Sequence, residues 1–265
     1  MTTDRYPVAA GAWTPALDWL RGWWHIVHLG ALLLVMALTP SSYARAQRPA
    51  LARHLYLGTA PSLPWFTVLS ALAGLVLIRI VTVTAVSYGL TQYAIEMVVR
   101  VLVLELIPLS AALFVALRYT LPQRAAVAAL RGTAVPDLGR TAGQGVLQRE
   151  LLPRVLAGVF AVLAVAAVSC VVALVIAYLQ VYGFTPWAFD GYTRTVGQIF
   201  SPPVALIFAL KTLGFGLAVA LIPLASAVHD APRSRSAASA ELRALMRTFA
   251  LLLLIEAASL MGNYY

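Results

Sequence analysis

The sequence predicts an all-α membrane protein, with an N-terminal interfacial helix followed by five transmembrane helices. Three observations lead there. The 265 residues are 61% hydrophobic and 11% charged, with a mean hydropathy of +0.85, whereas soluble domains run nearer half apolar and a quarter charged. Five apolar runs approach or exceed the roughly 20 residues that cross about 30 Å of hydrocarbon. The basic residues fall mainly in alternate connectors, the way a membrane protein records its orientation. The net charge of +9 therefore reads as topology. A nucleic-acid surface would need a continuous basic face on a soluble domain, and the pattern offers none.

The N-terminal region comes first. Residues 13–24 carry Trp13, Trp19, Trp23 and Trp24, interspersed with Asp18 and Arg21 and followed by His25 and His28. The apolar run from Ile26 to Leu38 is short for a span. Tryptophan marks the headgroup level, so the segment reads as a helix lying in or dipping into the interface, with a short genuine span as the alternative. "LGALLLVMAL" before "TPSSYARA" imitates a secretory signal, but the long Trp-rich stretch ahead of it is unlike an n-region, and no cleavage is expected.

The five spans are predicted at 63–87, 95–117, 155–179, 203–226 and 247–263. Connector 40–62 carries Arg45, Arg48 and Arg53. Connector 118–154 carries Arg118, Arg124, Arg131, Arg140, Arg149 and Arg154, and connector 227–247 carries Arg233, Arg235, Arg243 and Arg247. The 88–94 turn has no basic residue and the 180–202 loop has only Arg194. The positive-inside rule places the three basic connectors in the cytoplasm with the N-terminus, and the C-terminus outside. The chain thus divides into 1–62, an interfacial or re-entrant helix with a cytoplasmic connector, and 63–265, a five-span domain with a cytoplasmic segment at 118–154.

Charges inside the apolar runs are the candidate functional residues. At about 1.5 Å per residue, Lys211 lies roughly 13 Å from the outer start of the fourth span. Glu256 lies roughly 13 Å from the inner start of the fifth, and Glu105 roughly 15 Å from the outer start of the second. An unpaired charge at that depth costs about 2.5 kcal/mol or more. Lys211, the only lysine among nineteen basic residues, is therefore expected to pair with Glu105 or Glu256. The group either lines a path for a polar headgroup or proton, or clamps three helices together. Arg79 and Arg100 fall about 8 Å below the outer face, beside Glu96. They would suit a phosphate-bearing headgroup or simply snorkel to the interface.

Catalysis by this chain is not expected. Its only lysine follows Leu210, which excludes a P-loop, and no H-E-x-x-H, G-x-S-x-G or C-x-x-C occurs. Cys170 is the only cysteine and reads as an inert buried thiol. His25 and His28 share a helical face without a third ligand, so no metal site and no cofactor are expected in this chain.

Several segments together resemble a known family. "LELIPLSAALFVALR" (104–118) is similar to the Glu-x-Gly-Pro…Ala-Gly-Arg segment of MlaE/YrbE-type permeases, the membrane subunits of the Mla and Mce lipid-transport ABC systems. "LLPRVLAGV" (151–159) resembles the Pro-Arg start of that family's third span. "LIFALKTLGFGLAVAL" (206–221) resembles its Ile-Lys-Ser-x-x-Phe segment, and Glu256 stands where the family often has an acidic residue.

The resemblance implies an MlaE-like permease fold in a bacterial inner membrane, cytoplasmic at its N-terminus and periplasmic at its C-terminus. It implies a dimer of permease chains, alike or different, holding phospholipid or another hydrophobic molecule between them. A separate cytoplasmic ATPase would carry ATP and Mg, and an MCE-domain protein would receive or deliver the lipid. The motif positions carried over are Glu105, Pro108, Arg118, Pro153, Arg154, Lys211, Phe215 and Glu256. Coupling to the ATPase would fall on Arg124, Arg131, Asp137 and Arg140. The departures are Leu104 for a basic residue, Ile107 and Leu117 for glycines, "AAVA" at 125–128 for an Ala-Glu-x-Gly signature, and Ala134 and Arg140 for acidic residues. They leave open a degenerate structural half of a heteromeric permease that only anchors partners. A membrane enzyme acting on lipid is disfavoured by the missing nucleophile and metal constellations.

Overall fold

The computed structural model describes residues 14–39, 48–90, 93–129, 147–229 and 237–264. Within them the chain is helical, without a strand among the described residues. The helices are α1 (Thr14–Leu38), α2 (Arg48–Thr59), α3 (Ser62–Ser87), α4 (Ala94–Ala129), α5 (Leu152–Tyr182), α6 (Phe189–Ile199), α7 (Pro202–His229) and α8 (Ala237–Tyr264). Five helical stretches are long and apolar enough to cross a membrane, and they contain α3, α4, α5, α7 and α8. The five predicted spans coincide with these helices.

The differences lie at the ends. The 40–62 connector is not merely a solvated link, because α2 packs along α5, with Gly58 against the Tyr119 ring and the Ala157 carbonyl. The first part of the 118–154 connector continues α4 as helix to Ala129. At 36 residues α4 measures about 54 Å, so it carries the second span well past the hydrocarbon. The 180–202 loop contains a short turn at Pro186–Ala188 and then α6.

The shorter apolar helix packs at the end of the bundle where α7 finishes and α8 begins. One edge of α1 (Ile26, Leu29, Leu33) is buried against α7, where Gly30 meets Leu221. The other edge leaves Trp24, Val27, Leu34 and Val35 exposed. A helix apolar on both edges, one on protein and one free, fits a segment dipping into a bilayer.

In lipid the tails are as apolar as leucine, so helices associate by close packing of small residues. The centre of the bundle shows this. α5 buries Ala157, Gly158, Ala161, Ala166, Ala173 and Ala177 along one stripe and packs on α2, α3 and α7. A Cβ added at Gly158 would lie 3.0 Å from Ala220 Cβ, and one at Gly216 would lie 3.2 Å from Val159 Cα. These two glycines set the α5–α7 separation. The outward surface is aliphatic along α3 (Leu69, Leu72, Val76, Ile80, Val83). Exposed Trp65 and Tyr56 lie toward its N-terminal end, and Tyr88 and Tyr93 lie at the turn after its C-terminal end. That is the aromatic-belt arrangement of a bilayer protein.

Among the described residues three stretches are wound as π-helix: Val98–Leu106, Ala116–Thr120 and Leu147–Leu151. Each ends two residues before a proline, namely Pro108, Pro122 and Pro153. A proline ring collides with the carbonyl four residues back and supplies no N–H. Here that carbonyl belongs to Leu104, Arg118 or Arg149, always inside the widened segment. Opening the turn to a five-residue repeat moves the carbonyl off the ring and keeps the chain helical.

Candidate functional site

The midplane charges meet. Lys211 on α7, 3% exposed, directs its ammonium at Glu105 on α4, which accepts a hydrogen bond from it. The same ammonium lies 2.9 Å from Oε2 of Glu256 on α8, an ion pair without the alignment of a hydrogen bond. Phe215, one turn further along α7 and fully buried, places its ring centroid 5.8 Å from the ammonium, within cation–π range. The sequence left the partner open between two carboxylates, and the structure uses both. One ammonium faces two carboxyl groups in a low-dielectric setting, where attraction is strong but desolvation is costly.

The winding of α4 explains a fourth contact. The Ile107 N–H reaches back five residues to the Leu102 carbonyl. α-helical winding resumes over Ile107–Val115, and Pro108 has no N–H to give. Changing from a five-residue to a four-residue repeat skips one carbonyl, and the proline leaves one more without a donor. Lys211 Nζ donates to the Leu104 carbonyl at 3.3 Å, and Cys170 Sγ donates to the Val103 carbonyl at 3.5 Å. The only lysine and the only cysteine of the chain thus serve adjacent carbonyls where the winding changes. Sequence reading missed the second partner. Its signal was Pro108 inside a spanning run, which forces a search for donors.

An apolar cavity of about 490 Å³ lies between α3 and the start of α4, and none of the three charged residues lines it. Its walls include Ile78, Val81, Met97, Val101, Leu102 and Leu106, with Tyr88 and Tyr93 at the outer turn. The volume falls within the roughly 300–1,000 Å³ of small-molecule sites. Leu106 follows Glu105 directly, so one helix carries both the apolar wall and the charge. A second apolar hollow of about 350 Å³ lies between α4 and α8, bordered by Leu113, Leu117, Met246 and Phe249.

The other predicted residues fall as follows. Arg100 pairs with Glu96 one turn away at 2.9 Å, both partly exposed, and Arg79 is exposed on α3. Pro108 and Pro153 are buried, while Arg118 is exposed. At the N-terminal end of α5, Arg154 binds Glu150 Oε2 at 2.7 Å and Gln123 Oε1 at 3.2 Å, which ties α5 to α4. Arg124 is buried nearby on α4, and Tyr119 Oη lies 3.5 Å from His54 Nδ1 on α2. Gln123, Glu150, Tyr119 and His54 do not stand out in the sequence, because amphipathic connector residues look alike until packing selects among them. Arg131, Asp137 and Arg140 lie outside the described residues. Among the described residues no group of three or more His, Cys, Asp or Glu is arranged to hold a metal.

The sequence matches a family described as Permease MlaE over residues 51–261, most of its length. No curated protein matches it.

Proposed function

The chain belongs to the MlaE permease family, and on that footing we propose that it moves phospholipid or another hydrophobic molecule through a bacterial inner membrane. The observation that carries this reading is the apolar cavity between α3 and α4, together with Glu105, which follows the cavity helix's wall residues in sequence but turns to Lys211 and its partner Glu256. Acyl tails suit the cavity, and the polar headgroup suits the charges. Arg79, Arg100 and Glu96 near the outer turn would meet the headgroup on its way out.

The chain would not hydrolyse ATP. A separate ABC ATPase, carrying ATP and Mg, would press on the cytoplasmic segment around 119–150, including Arg124, Arg131, Asp137 and Arg140. Arg154, bound to both Glu150 and Gln123, would pass that motion into α4 and α5. A second permease chain would complete the lipid chamber, and a periplasmic MCE-domain protein would exchange lipid with it. The N-terminus is then cytoplasmic and the C-terminus periplasmic.

Mild-detergent purification with mass spectrometry is expected to recover an ABC ATPase and an MCE-domain protein, and joint absence of both would sink the reading. Filling the cavity by Val101→Trp is expected to lower co-purified lipid and transport while assembly survives. A second reading rests on the departures at Leu104, Ile107 and Leu117, in which this chain is the non-transporting half of a heteromeric permease. Transport that persists in Glu105→Gln and Val101→Trp within an intact complex would favour it.

A further inference from the structure

After α5 the chain turns at Gly183, whose φ of 67° favours glycine. It then presents three large aromatic side chains outward: Phe184 is 91% exposed, Trp187 93% and Phe189 55%. The frame that holds them is fixed. The Tyr178 hydroxyl donates to the Thr185 carbonyl, Thr185 Oγ1 donates to Tyr182 O at 2.6 Å, and the Tyr192 hydroxyl donates to Leu174 O at 2.8 Å. Tyr178 meets Phe189 edge-on at 5.9 Å and Tyr192 at 5.2 Å. Tyr192 and Ile199 bury the other face of α6.

Burying one large apolar side chain is worth about 1.5–3 kcal/mol, so a rigid frame that holds three of them in water wastes that energy. The surroundings indicate what covers them. The segment caps the outer end of α5, on the side where Tyr88 and Tyr93 are exposed. Residues 183–201 contain one acid, Asp190, and one base, Arg194, so the segment carries no net charge that would resist entry into a bilayer interface. Tryptophan and phenylalanine on a neutral segment level with the span ends suit the headgroup zone of a bilayer.

We propose that Phe184, Trp187 and Phe189 form an aromatic wedge in the outer leaflet of the bilayer, making 184–199 an in-plane anchor. The opposite face of α6 packs on the beginning of α4, where Met97 and Val98 line the cavity. The wedge therefore fixes the cavity mouth relative to the leaflet surface. It stands whether or not the chain moves lipid.

The test uses full-length protein in lipid nanodiscs without partner proteins. In a Cys170→Ser background, Trp187→Cys, Phe184→Cys and Arg194→Cys are each labelled with an environment-sensitive fluorophore. Labels at 184 and 187 are expected to emit at shorter wavelength than the label at 194. They should be quenched more by a spin label near the lipid headgroup than by one at the acyl terminus, and resist aqueous iodide. Should Cys170→Ser impair folding, wild type and Trp187→Phe are compared with headgroup-proximal spin-labelled lipid, and the substitution is expected to remove part of the quenched tryptophan signal. Water-like emission with full iodide access at 187, or an unchanged quenched fraction in Trp187→Phe, overturns the wedge. Shielding that develops only when an extracytoplasmic protein is added assigns the aromatics to that protein and also overturns it.

Discussion

Replacing Lys211 by methionine tests the centre of the molecule. Methionine nearly matches the length of the lysine stem and removes only the ammonium. Its loss leaves Glu105 and Glu256 facing each other without the cation that both contact, and it takes a donor from the Leu104 carbonyl. Breaking one partner out of a buried pair costs about 3–5 kcal/mol, and an unmet buried carbonyl about 1–3 kcal/mol more. The sum is an upper figure, because the helices can relax. Unfolding can be followed in nanodiscs by the reaction of buried Cys170, the only thiol, with a maleimide dye. Lys211→Met is expected to expose it at a clearly lower temperature. The triple variant Lys211→Met/Glu105→Gln/Glu256→Gln removes every charge and is expected to recover most of the loss, as coupled sites should. Lipid transport in the recovered triple variant then separates two roles: loss of transport in a stable, assembled protein marks a path, and retention marks a clamp. If Lys211→Met unfolds at the wild-type temperature, the ammonium holds nothing and the argument fails.

Other perturbations probe the frame around that group. Gly216→Val forces atoms into Val159, whose Cα would already lie 3.2 Å from a bare Cβ. It should cost about 1–3 kcal/mol or more by overpacking, read as a lower unfolding temperature, while Gly191→Ala, with open space around it, should change little. Cys170→Ser keeps a donor for the Val103 carbonyl, whereas Cys170→Val does not. The serine variant should melt above the valine variant by an amount corresponding to roughly 1 kcal/mol, and the reverse order would dismiss the thiol–carbonyl contact. Burial pushes the Tyr192 hydroxyl up from 10.0 to about 12, so its stabilising contribution is complete below pH 10 and is lost as pH rises toward 12. Ultraviolet titration should therefore find one tyrosine fewer ionising late in Tyr192→Phe than in wild type.

How much of the fold and the charged group is legible in the sequence follows from the physics of each feature. Spans are long apolar runs, and composition fixes them, so α3, α4, α5, α7 and α8 fall where hydropathy puts them. Depth is additive along a helix, which is why Glu105, Lys211 and Glu256 can be matched from three separate runs. Rotation about each helix axis is not additive in that way. It depends on which small residues let helices approach, and Gly158 and Gly216 matter only as facing surfaces. The meeting of Lys211 with both Glu105 and Glu256, the selection of Gln123 and Glu150 for Arg154, and the packing of α2 on α5 all rest on rotation. Only the folded arrangement reveals them. The outward aromatics at 184–189 leave no mark in the sequence, because a loop's exposure has no periodic signature.

The prolines join these parts. Inside a bilayer no water is available to satisfy a carbonyl that loses its donor, so a helix-breaking residue must bring a replacement. Pro108 widens α4, and adjacent carbonyls at Val103 and Leu104 receive a thiol and an ammonium from two other helices. The ammonium can be that donor only if its charge is matched at the same depth, which Glu105 and Glu256 do. A neutral donor such as serine would meet one carbonyl with no carboxylates required. The chain instead carries one ammonium and two carboxyl groups, one of them on a helix that also walls an apolar cavity. Structural need alone accounts for the donor and not for the second carboxylate. That surplus is the strongest reason to look for Glu256 in the handling of a polar headgroup, and Glu256→Gln should therefore alter lipid transport more than it alters the unfolding temperature.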